Sequence, residues 1–187
     1  MKKIAVTGNI ASGKTVVENK LKEYGFKTLC LDEVTKTIYE DKKVKTILYG
    51  LFKTEKKEEI SKIVFADKEK LKKLEDVILP EIKQIMFSYF DKNKDENFIF
   101  VIAPTLFEAG FDAYFDKIIF ISSNEDIRLK RLIERNNVSF EDAKLKIDSQ
   151  LKEEEKTPKC SYILYNNSSI EDFLKEIEKL KEELNIL

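Results

Sequence analysis

Five short apolar segments recur along the chain, separated by stretches in which apolar residues have helical spacing. The five segments are residues 4–7, 26–31, 98–103, 116–121 and 160–165. Short apolar or β-branched runs predict buried strands, whereas apolar residues three and four positions apart predict helices. Strands that alternate with helices favour an α/β fold, so we expect a five-stranded parallel sheet.

A glycine-containing segment joins the first predicted strand to the first predicted helix. Residues 8–15 read GNIASGKT and fit the pattern G-x-x-x-x-G-K-[ST]. Between a strand and a helix this pattern predicts a phosphate-binding loop, because glycines let backbone N–H groups surround phosphate oxygens. The predicted nucleotide-binding residues are Gly8, Asn9, Ile10, Ala11, Ser12, Gly13, Lys14 and Thr15.

The last two residues of this loop carry its predicted chemistry. We expect Lys14 to reach the β- and γ-phosphates of ATP and the Thr15 hydroxyl to bind Mg²⁺. The alternative is a chance glycine loop with a surface lysine, and the flanking strand and helix argue against it. The fold class expected is therefore the three-layer P-loop NTPase fold.

Acidic residues follow two of the predicted strands. Asp32 comes directly after the second strand, and Glu108 follows the third strand beyond Pro104. The carboxyl ends of parallel strands line the ligand crevice, so Asp32 is a candidate to accept a hydroxyl proton or help hold Mg²⁺. Glu108 is a candidate contact to Mg²⁺-bound water or substrate. An N-cap role for Asp32 and a solvated loop position for Glu108 stay equally open.

A highly charged helical block, about residues 41–92, lies between the second and third predicted strands. Pro80 is expected to interrupt a helix there or to start a further one. Because such a block cannot join the sheet, we interpret it as a helical insertion that covers the acceptor-substrate side. A purely scaffolding role is the alternative.

The only arginines of the chain, Arg128, Arg131 and Arg135, lie on one predicted helix. Arg131 and Arg135 are four residues apart and share a face, and guanidinium groups bind phosphates in a bidentate fashion. Two helices within about residues 124–155 are typical of a mobile lid over a nucleotide. Surface ion pairs with nearby acids are the alternative.

Length and composition narrow the classes of function. A length of 187 residues predicts a single domain, with a core of residues 1–40, 97–123 and 160–187. The balance of 34 basic against 35 acidic residues argues against nucleic acid or a membrane as the main partner. The chain has no histidine, which excludes histidine acid–base catalysis and histidine metal sites. We expect a cytoplasmic protein for three reasons. The two cysteines are far apart in sequence, no signal peptide is expected, and no apolar run approaches about 20 residues.

Several of these segments resemble motifs of the dephospho-CoA kinase family. The first loop is similar to the family's T-G-G-I-G-S-G-K-S, and Asp32 falls on the second aspartate of its D-A-D motif, the proposed catalytic base. Pro104–Glu108 resembles P-L-L-F-E, and Arg131–Arg135 resembles R-L-x-x-R. Further similar segments are residues 60–65 (L-x-x-I-V-F), residues 74–80 (L-E-x-x-x-H-P), Gln150, and residues 162–166 (Y-V-I-D-N).

The resemblance implies an activity and a set of roles. The implied reaction is ATP-dependent phosphorylation of the ribose 3′-hydroxyl of dephospho-CoA, with Mg²⁺, giving CoA and ADP as the last step of CoA biosynthesis. The implied catalytic residues are Asp32, Lys14, Arg131 and Arg135. The implied substrate-binding residues are Asp32, Pro80, Pro104, Leu106 and Glu108.

The chain departs from the family pattern at five positions. Cys30, Ile102, Ser161 and Tyr165 stand where the family has aspartates, and Leu79 stands where it has the histidine before proline. Fewer acids are left to position Mg²⁺ than in the family. The missing histidine removes a side chain that the resemblance implies for recognition of the acceptor. The alternatives are another P-loop kinase that acts on a small molecule or nucleotide, and a catalytically silent nucleotide-binding relative.

Overall fold

The computed structural model describes residues 1–184 and contains the expected parallel sheet. The strands are β1 (Lys2–Gly8), β2 (Lys27–Cys30), β3 (Phe98–Ile102), β4 (Lys117–Ser122) and β5 (Tyr162–Tyr165). Their order in the sheet is β2-β3-β1-β4-β5. Strand β1 pairs in parallel with both β3 and β4, and β4 pairs in parallel with β5. The predicted five-stranded α/β fold is confirmed.

The centre of the sheet is β1, whose apolar residues are covered on both faces. Ile4 lies opposite Phe100 of β3, and Val6 lies opposite Ile102 of β3 and Ile119 of β4. These side chains are buried. A continuous apolar run, rather than an alternating one, is what a parallel strand covered on both faces requires.

Helices connect the strands in the described part of the chain. They are α1 (Lys14–Glu23), α2 (Leu31–Glu40), α3 (Lys42–Phe52), α4 (Lys57–Phe65), α5 (Lys68–Lys92), α6 (Glu125–Asn136), α7 (Phe140–Asp148), α8 (Glu153–Lys156) and α9 (Ile170–Glu183). Val17 of α1 and Ile177 of α9 line one small cavity with Phe100 of β3, so α1 and α9 cover the same face of the sheet. None of the helices in residues 1–184 combines the length and the hydropathy that crossing a bilayer needs.

The chain divides into two compact units. Within the described residues, one comprises residues 1–28 and 95–184, and the other comprises residues 29–94. In the second unit, α5 packs against α2, α3 and α4. Its buried face is formed by residues at helical spacing, namely Ile78, Ile82, Met86 and Phe90. The second unit therefore contains the predicted helical block together with α2.

Pro80 neither ends a helix nor begins one. Helix α5 runs from Lys68 to Lys92 without a break, and Pro80 lies in its interior. The expected interruption is wrong, because the apolar face on both sides of the proline stays buried against one set of neighbours. Pro80 itself is exposed, so solvent can hydrate the carbonyl group that loses its helical hydrogen bond.

The region around Asp32 also differs from the expectation. Helix α2 begins at Leu31 directly after β2, and its N-cap is Cys30, which makes no side-chain capping bond. The alternative of Asp32 as an N-cap is therefore wrong. Asp32 is instead an exposed carboxylate in the first turn of α2, where the helix dipole favours negative charge.

Candidate active site

The loop after β1 has a backbone that only glycine accommodates at two positions. Gly8 has φ +151° and Gly13 has φ +110°. A Cβ on Gly8 would lie 2.5 Å from the carbonyl oxygen of Ile121, and a Cβ on Gly13 would collide with the Asn166 amide group. The loop thus lies directly against β4 and the end of β5, and a side chain at either glycine would push it away.

Replacing Gly8 with alanine is expected to lower the free energy of unfolding by about 2–3 kcal/mol and to weaken nucleotide binding. The obstructing atom is a backbone oxygen of a central strand, which cannot move aside. Gly50→Ala is the matched control, because Gly50 lies inside α3 with open space around it. There, alanine should be neutral or stabilise by about 0.5–1 kcal/mol. Denaturant unfolding of both variants checks this, and equal losses would contradict it.

The loop presents backbone donors without acceptors. Within residues 1–184, the N–H groups of Ala11, Gly13 and Thr15 make no hydrogen bond to the protein. Gly13 is the N-cap of α1, so the last two of these donors lie at the positive end of a helix dipole. Unsatisfied amides at a helix N-terminus form an anion site, and the triphosphate of a nucleotide fits this loop.

The Lys14 side chain lies back over the loop. Its ammonium nitrogen Nζ donates to the carbonyl oxygen of Gly8 at 2.7 Å and to that of Asn9 at 3.0 Å. These carbonyls hold the positive charge at the entrance of the loop. The exchange of carbonyl oxygens for phosphate oxygens then requires only a side-chain movement.

Magnesium would find few protein ligands here. In the described part of the chain, no group of three or more His, Cys, Asp or Glu side chains is placed to hold a metal ion. Mg²⁺ at a nucleotide usually takes one or two protein oxygens together with phosphate oxygens and water. The exposed Thr15 hydroxyl, next to the loop amides, fits that arrangement.

Glu108 is not a freely solvated loop acid. Its Oε1 accepts a hydrogen bond of 2.7 Å from Nζ of Lys156, a lysine whose side chain is 1% exposed. The same Nζ donates to Oδ1 of Asn9 in the phosphate loop at 2.9 Å. Sequence reasoning missed Lys156, because nothing in the local pattern distinguishes this lysine from its many neighbours.

The predicted lid packs directly on the phosphate loop. Leu132 of α6 and Ala143 and Ile147 of α7 form a buried cluster against Ile10 and Ala11 of the loop. After α7, the Oε1 atom of Gln150 accepts a hydrogen bond of 2.6 Å from the Ile10 N–H. The lid segment therefore helps to shape the loop.

The three arginines of α6 have different surroundings. Nη2 of Arg131 donates to Oδ1 of Asn166 at 3.1 Å, and Nδ2 of Asn166 donates to the Ser12 carbonyl oxygen at 2.8 Å. Arg135 is exposed and donates to the neighbouring Asn136. Arg128 is buried, donates to the Ser123 carbonyl oxygen at 2.9 Å, and burial lowers its pKa.

Among residues 1–184, none of these arginines forms an ion pair with an acid. In the described part of α6 and α7, Glu125 and Asp148 pair with Lys144 instead. The alternative of surface ion pairs is therefore wrong for these arginines. Arg131 is tied to the phosphate loop through one asparagine, and Arg135 is free to meet a ligand.

A cavity of about 820 Å³ lies beside the loop in the first unit. It opens where the carboxyl ends of β4 and β5 meet the lid segment. Its lining includes Asn9, Ser123, Asn124, Arg128, Gln150 and Thr157. A cavity of this size suits a small-molecule ligand.

The remaining predicted residues lie in two places. Asp32 and Pro80 belong to the second unit, on α2 and α5. Pro104 and Leu106 belong to the first unit, after β3, and the Leu106 side chain is fully buried. Leu106 therefore supports the loop that carries Glu108 and exposes no surface of its own.

The positions that depart from the family pattern have different surroundings. Ile102 is buried in β3, Ser161 accepts a hydrogen bond of 3.3 Å from the Ile118 N–H, and Tyr165 is exposed at the end of β5. Leu79 is half-buried on α5. None of these side chains can act as a carboxylate ligand for a metal.

Comparison with known proteins gives one consistent family. A family model described as dephospho-CoA kinase matches residues 2–172. A dephospho-CoA kinase of Fusobacterium nucleatum subsp. nucleatum is 36% identical over 187 residues, which cover 96% of this chain and 96% of that protein.

Two solved structures superpose on nearly the whole chain. A crystal structure of a Thermus thermophilus protein superposes with a TM-score of 0.86 at 28% identity, covering 98% of this chain and 97% of the other. A dephospho-CoA kinase structure from Campylobacter jejuni gives a TM-score of 0.72 at 30% identity, covering 97% and 96%.

The family match spans every element from β1 to the first turn of α9. It includes the phosphate loop, the loop of Glu108 and the arginines of α6. The relatives and the solved structures cover nearly the whole chain. The chain belongs to the dephospho-CoA kinase family.

Proposed function

We propose that this protein transfers the γ-phosphoryl group of ATP to the ribose 3′-hydroxyl of dephospho-CoA, giving CoA and ADP. The observation that carries the proposal is a phosphate loop with unsatisfied amides and a placed lysine, in a chain that matches the kinase family over residues 2–172. A family of P-loop kinases uses a nucleotide as phosphoryl donor, and the loop supplies the donors that its phosphates need.

The phosphate loop would hold the donor. The amides of Ala11, Gly13 and Thr15 would bind phosphate oxygens, and Lys14 would move from the loop carbonyls to the transferring phosphoryl group. The Thr15 hydroxyl would hold Mg²⁺, which when bound offsets phosphate charge. These groups act mainly by position and charge, because phosphoryl transfer needs little covalent help from the protein.

The acceptor would be activated by Asp32. Its carboxylate would orient the 3′-hydroxyl or accept its proton, and its exposure leaves it available to a ligand. Pro80, Pro104, Leu106 and Glu108 are proposed to form or support the acceptor site. The assignment of Asp32, Pro80, Pro104 and Leu106 comes from the motif positions that they share with the family.

The lid arginines would close on the nucleotide. Arg131 and Arg135 are proposed to offset charge on the transferring phosphoryl group, and closure would exclude water and so limit ATP hydrolysis. Exposed Arg135 can reach a ligand, whereas Arg131 would have to leave Asn166 or act beside it. We further propose a cytoplasmic location and a small-molecule substrate. The net charge of −1 supports the proposal that nucleic acid is not a partner.

The test is formation of CoA from dephospho-CoA, ATP and Mg²⁺, followed by mass spectrometry. Product that requires all three components supports the proposal. Absence of product together with phosphorylation of another hydroxyl compound, in a panel of nucleosides and small alcohols, would replace dephospho-CoA by that acceptor. ATP binding without any product would indicate a silent relative.

A further inference from the structure

Lys156 is a buried cation between two parts of the candidate site. Its side chain is 1% exposed, and its Nζ donates to Oε1 of Glu108 at 2.7 Å and to Oδ1 of Asn9 at 2.9 Å. Burial of an ammonium group is costly unless it is paired and hydrogen-bonded. Both partners belong to segments that the family motifs place in the active site, and Lys156 joins them.

Two local hydrogen bonds order the short segment that contains Lys156. Before it, Oε1 of Glu155 accepts a hydrogen bond of 3.2 Å from the Lys152 N–H at the start of α8. After it, the Cys160 thiol donates to the Lys156 carbonyl oxygen at 3.3 Å. Burial raises the pKa of Cys160 to about 11, so the thiol keeps its proton near neutral pH and remains a donor. The bond from Cys160 therefore helps to fix the backbone from which the Lys156 side chain extends.

Asn9 connects Lys156 to the phosphate-binding lysine. Its side-chain oxygen accepts from Lys156, while its main-chain oxygen accepts from Nζ of Lys14 at 3.0 Å. Asn9 is itself buried, so rotation of its side chain is restricted. A change at Lys156 is therefore transmitted to the residue whose carbonyl group orients Lys14.

Glu108 is bound by Lys156 through one oxygen only. Its side chain is 27% exposed, and within residues 1–184 its second carboxylate oxygen makes no hydrogen bond to the protein. One oxygen is thus fixed by the buried ammonium group and the other is available to a ligand. This is the arrangement of a carboxylate that is oriented for contact.

We propose that Lys156 is a positioning residue for phosphoryl transfer, which orients the carboxylate of Glu108 and the Asn9 segment of the phosphate loop relative to each other. This inference rests on the proposed kinase function and adds a residue that the motifs did not identify. Lys156 acts through Glu108 and Asn9 and touches no reacting atom.

The first test is steady-state kinetics of Lys156→Met, which keeps the length of the side chain and removes its charge. We expect kcat for CoA formation to fall about 30- to 100-fold, because small displacements of reacting groups have effects of that size. The KM for ATP should change by less than about threefold, since the loop amides remain. Lys146→Met is the matched control: it removes an exposed lysine of α7 that does not line the cavity, and it should keep kcat within about twofold.

A double variant separates positioning from a general loss of stability. Because Lys156 acts in part through the Glu108 carboxylate, the loss of kcat in the double variant Lys156→Met/Glu108→Gln should be at least about threefold smaller than the product of the two single losses. Thermal unfolding of each variant sets an assay temperature at which all are folded. A purely structural lysine would instead give effects on kcat that multiply.

The outcomes are distinct. A wild-type protein that forms no CoA contradicts the proposed function. A wild-type protein that is active, together with a Lys156→Met variant within threefold of its kcat or with multiplicative effects, overturns the positioning role and leaves the function intact. Loss of kcat in Lys156→Met that combines with the loss in Glu108→Gln to less than the product of the two supports it.

Discussion

Replacing Lys14 with alanine is expected to lower kcat for CoA formation by about 10³-fold, the size found when a preorganised charge contact to a transition state is removed. In this structure Nζ of Lys14 lies at the loop, 2.7 Å from the Gly8 carbonyl oxygen. The ammonium group would offset charge that builds up as the phosphoryl group moves, and no other loop side chain carries a positive charge. Mass spectrometry of the product and pre-steady-state assays measure the loss of kcat.

A smaller effect on folding accompanies this change. The Gly8 and Asn9 carbonyl groups lose a donor, which should reduce the free energy of unfolding by about 1–2 kcal/mol. The control is Lys22→Ala on the same helix, which removes an ion pair with Glu18 outside the phosphate loop. It should cost about 0.3–0.5 kcal/mol and leave kcat unchanged. Similar activity in both variants would show that Lys14 does not contact the transferring group.

The second large effect is expected for Asp32→Asn, which should lower kcat by about 10²- to 10⁴-fold, the usual range for loss of a general base. Asparagine keeps the shape of the side chain and can still accept a hydrogen bond from the hydroxyl group, but it cannot take the proton. ATP binding should be unchanged, because the phosphate loop is untouched. Steady-state kinetics with an independent nucleotide-binding measurement separates the two effects.

Glu33→Gln is the matched control for Asp32→Asn. Both acids are exposed in the first turn of α2, so each substitution removes a similar interaction with the helix dipole, about 0.3–1 kcal/mol. Only Asp32 falls on the motif position of the proposed base. If both variants retain activity within about threefold, a different group accepts the proton and Asp32 loses its assigned role.

The phosphate loop illustrates what local sequence predicts well. Its glycines, its lysine and its flanking strand and helix are neighbours in the chain, so their chemistry can be inferred from spacing alone. Even here, the requirement for glycine at position 8 depends partly on a residue distant in sequence, because the obstructing atom belongs to Ile121. The sequence pattern predicts the loop, and the packing against β4 explains why position 8 does not accept a side chain.

Pro80 illustrates where a local rule fails. A proline within a helical pattern normally predicts a boundary, because it removes one hydrogen bond and crowds the preceding turn. In α5 the apolar face continues across the proline, with Ile78 before it and Ile82 after it buried together. The burial of that face outweighs the local cost, so one long helix forms.

The amino-acid sequence was sufficient for the α/β fold, the phosphate loop and the family, because these depend on periodicity and on motifs of neighbouring residues. The environment of Glu108 depended on the folded chain. Its partner Lys156 lies 48 residues away, and the third member, Asn9, lies 147 residues from that lysine. A buried lysine and an exposed lysine look alike in a lysine-rich sequence, and only packing in three dimensions excludes water from one of them.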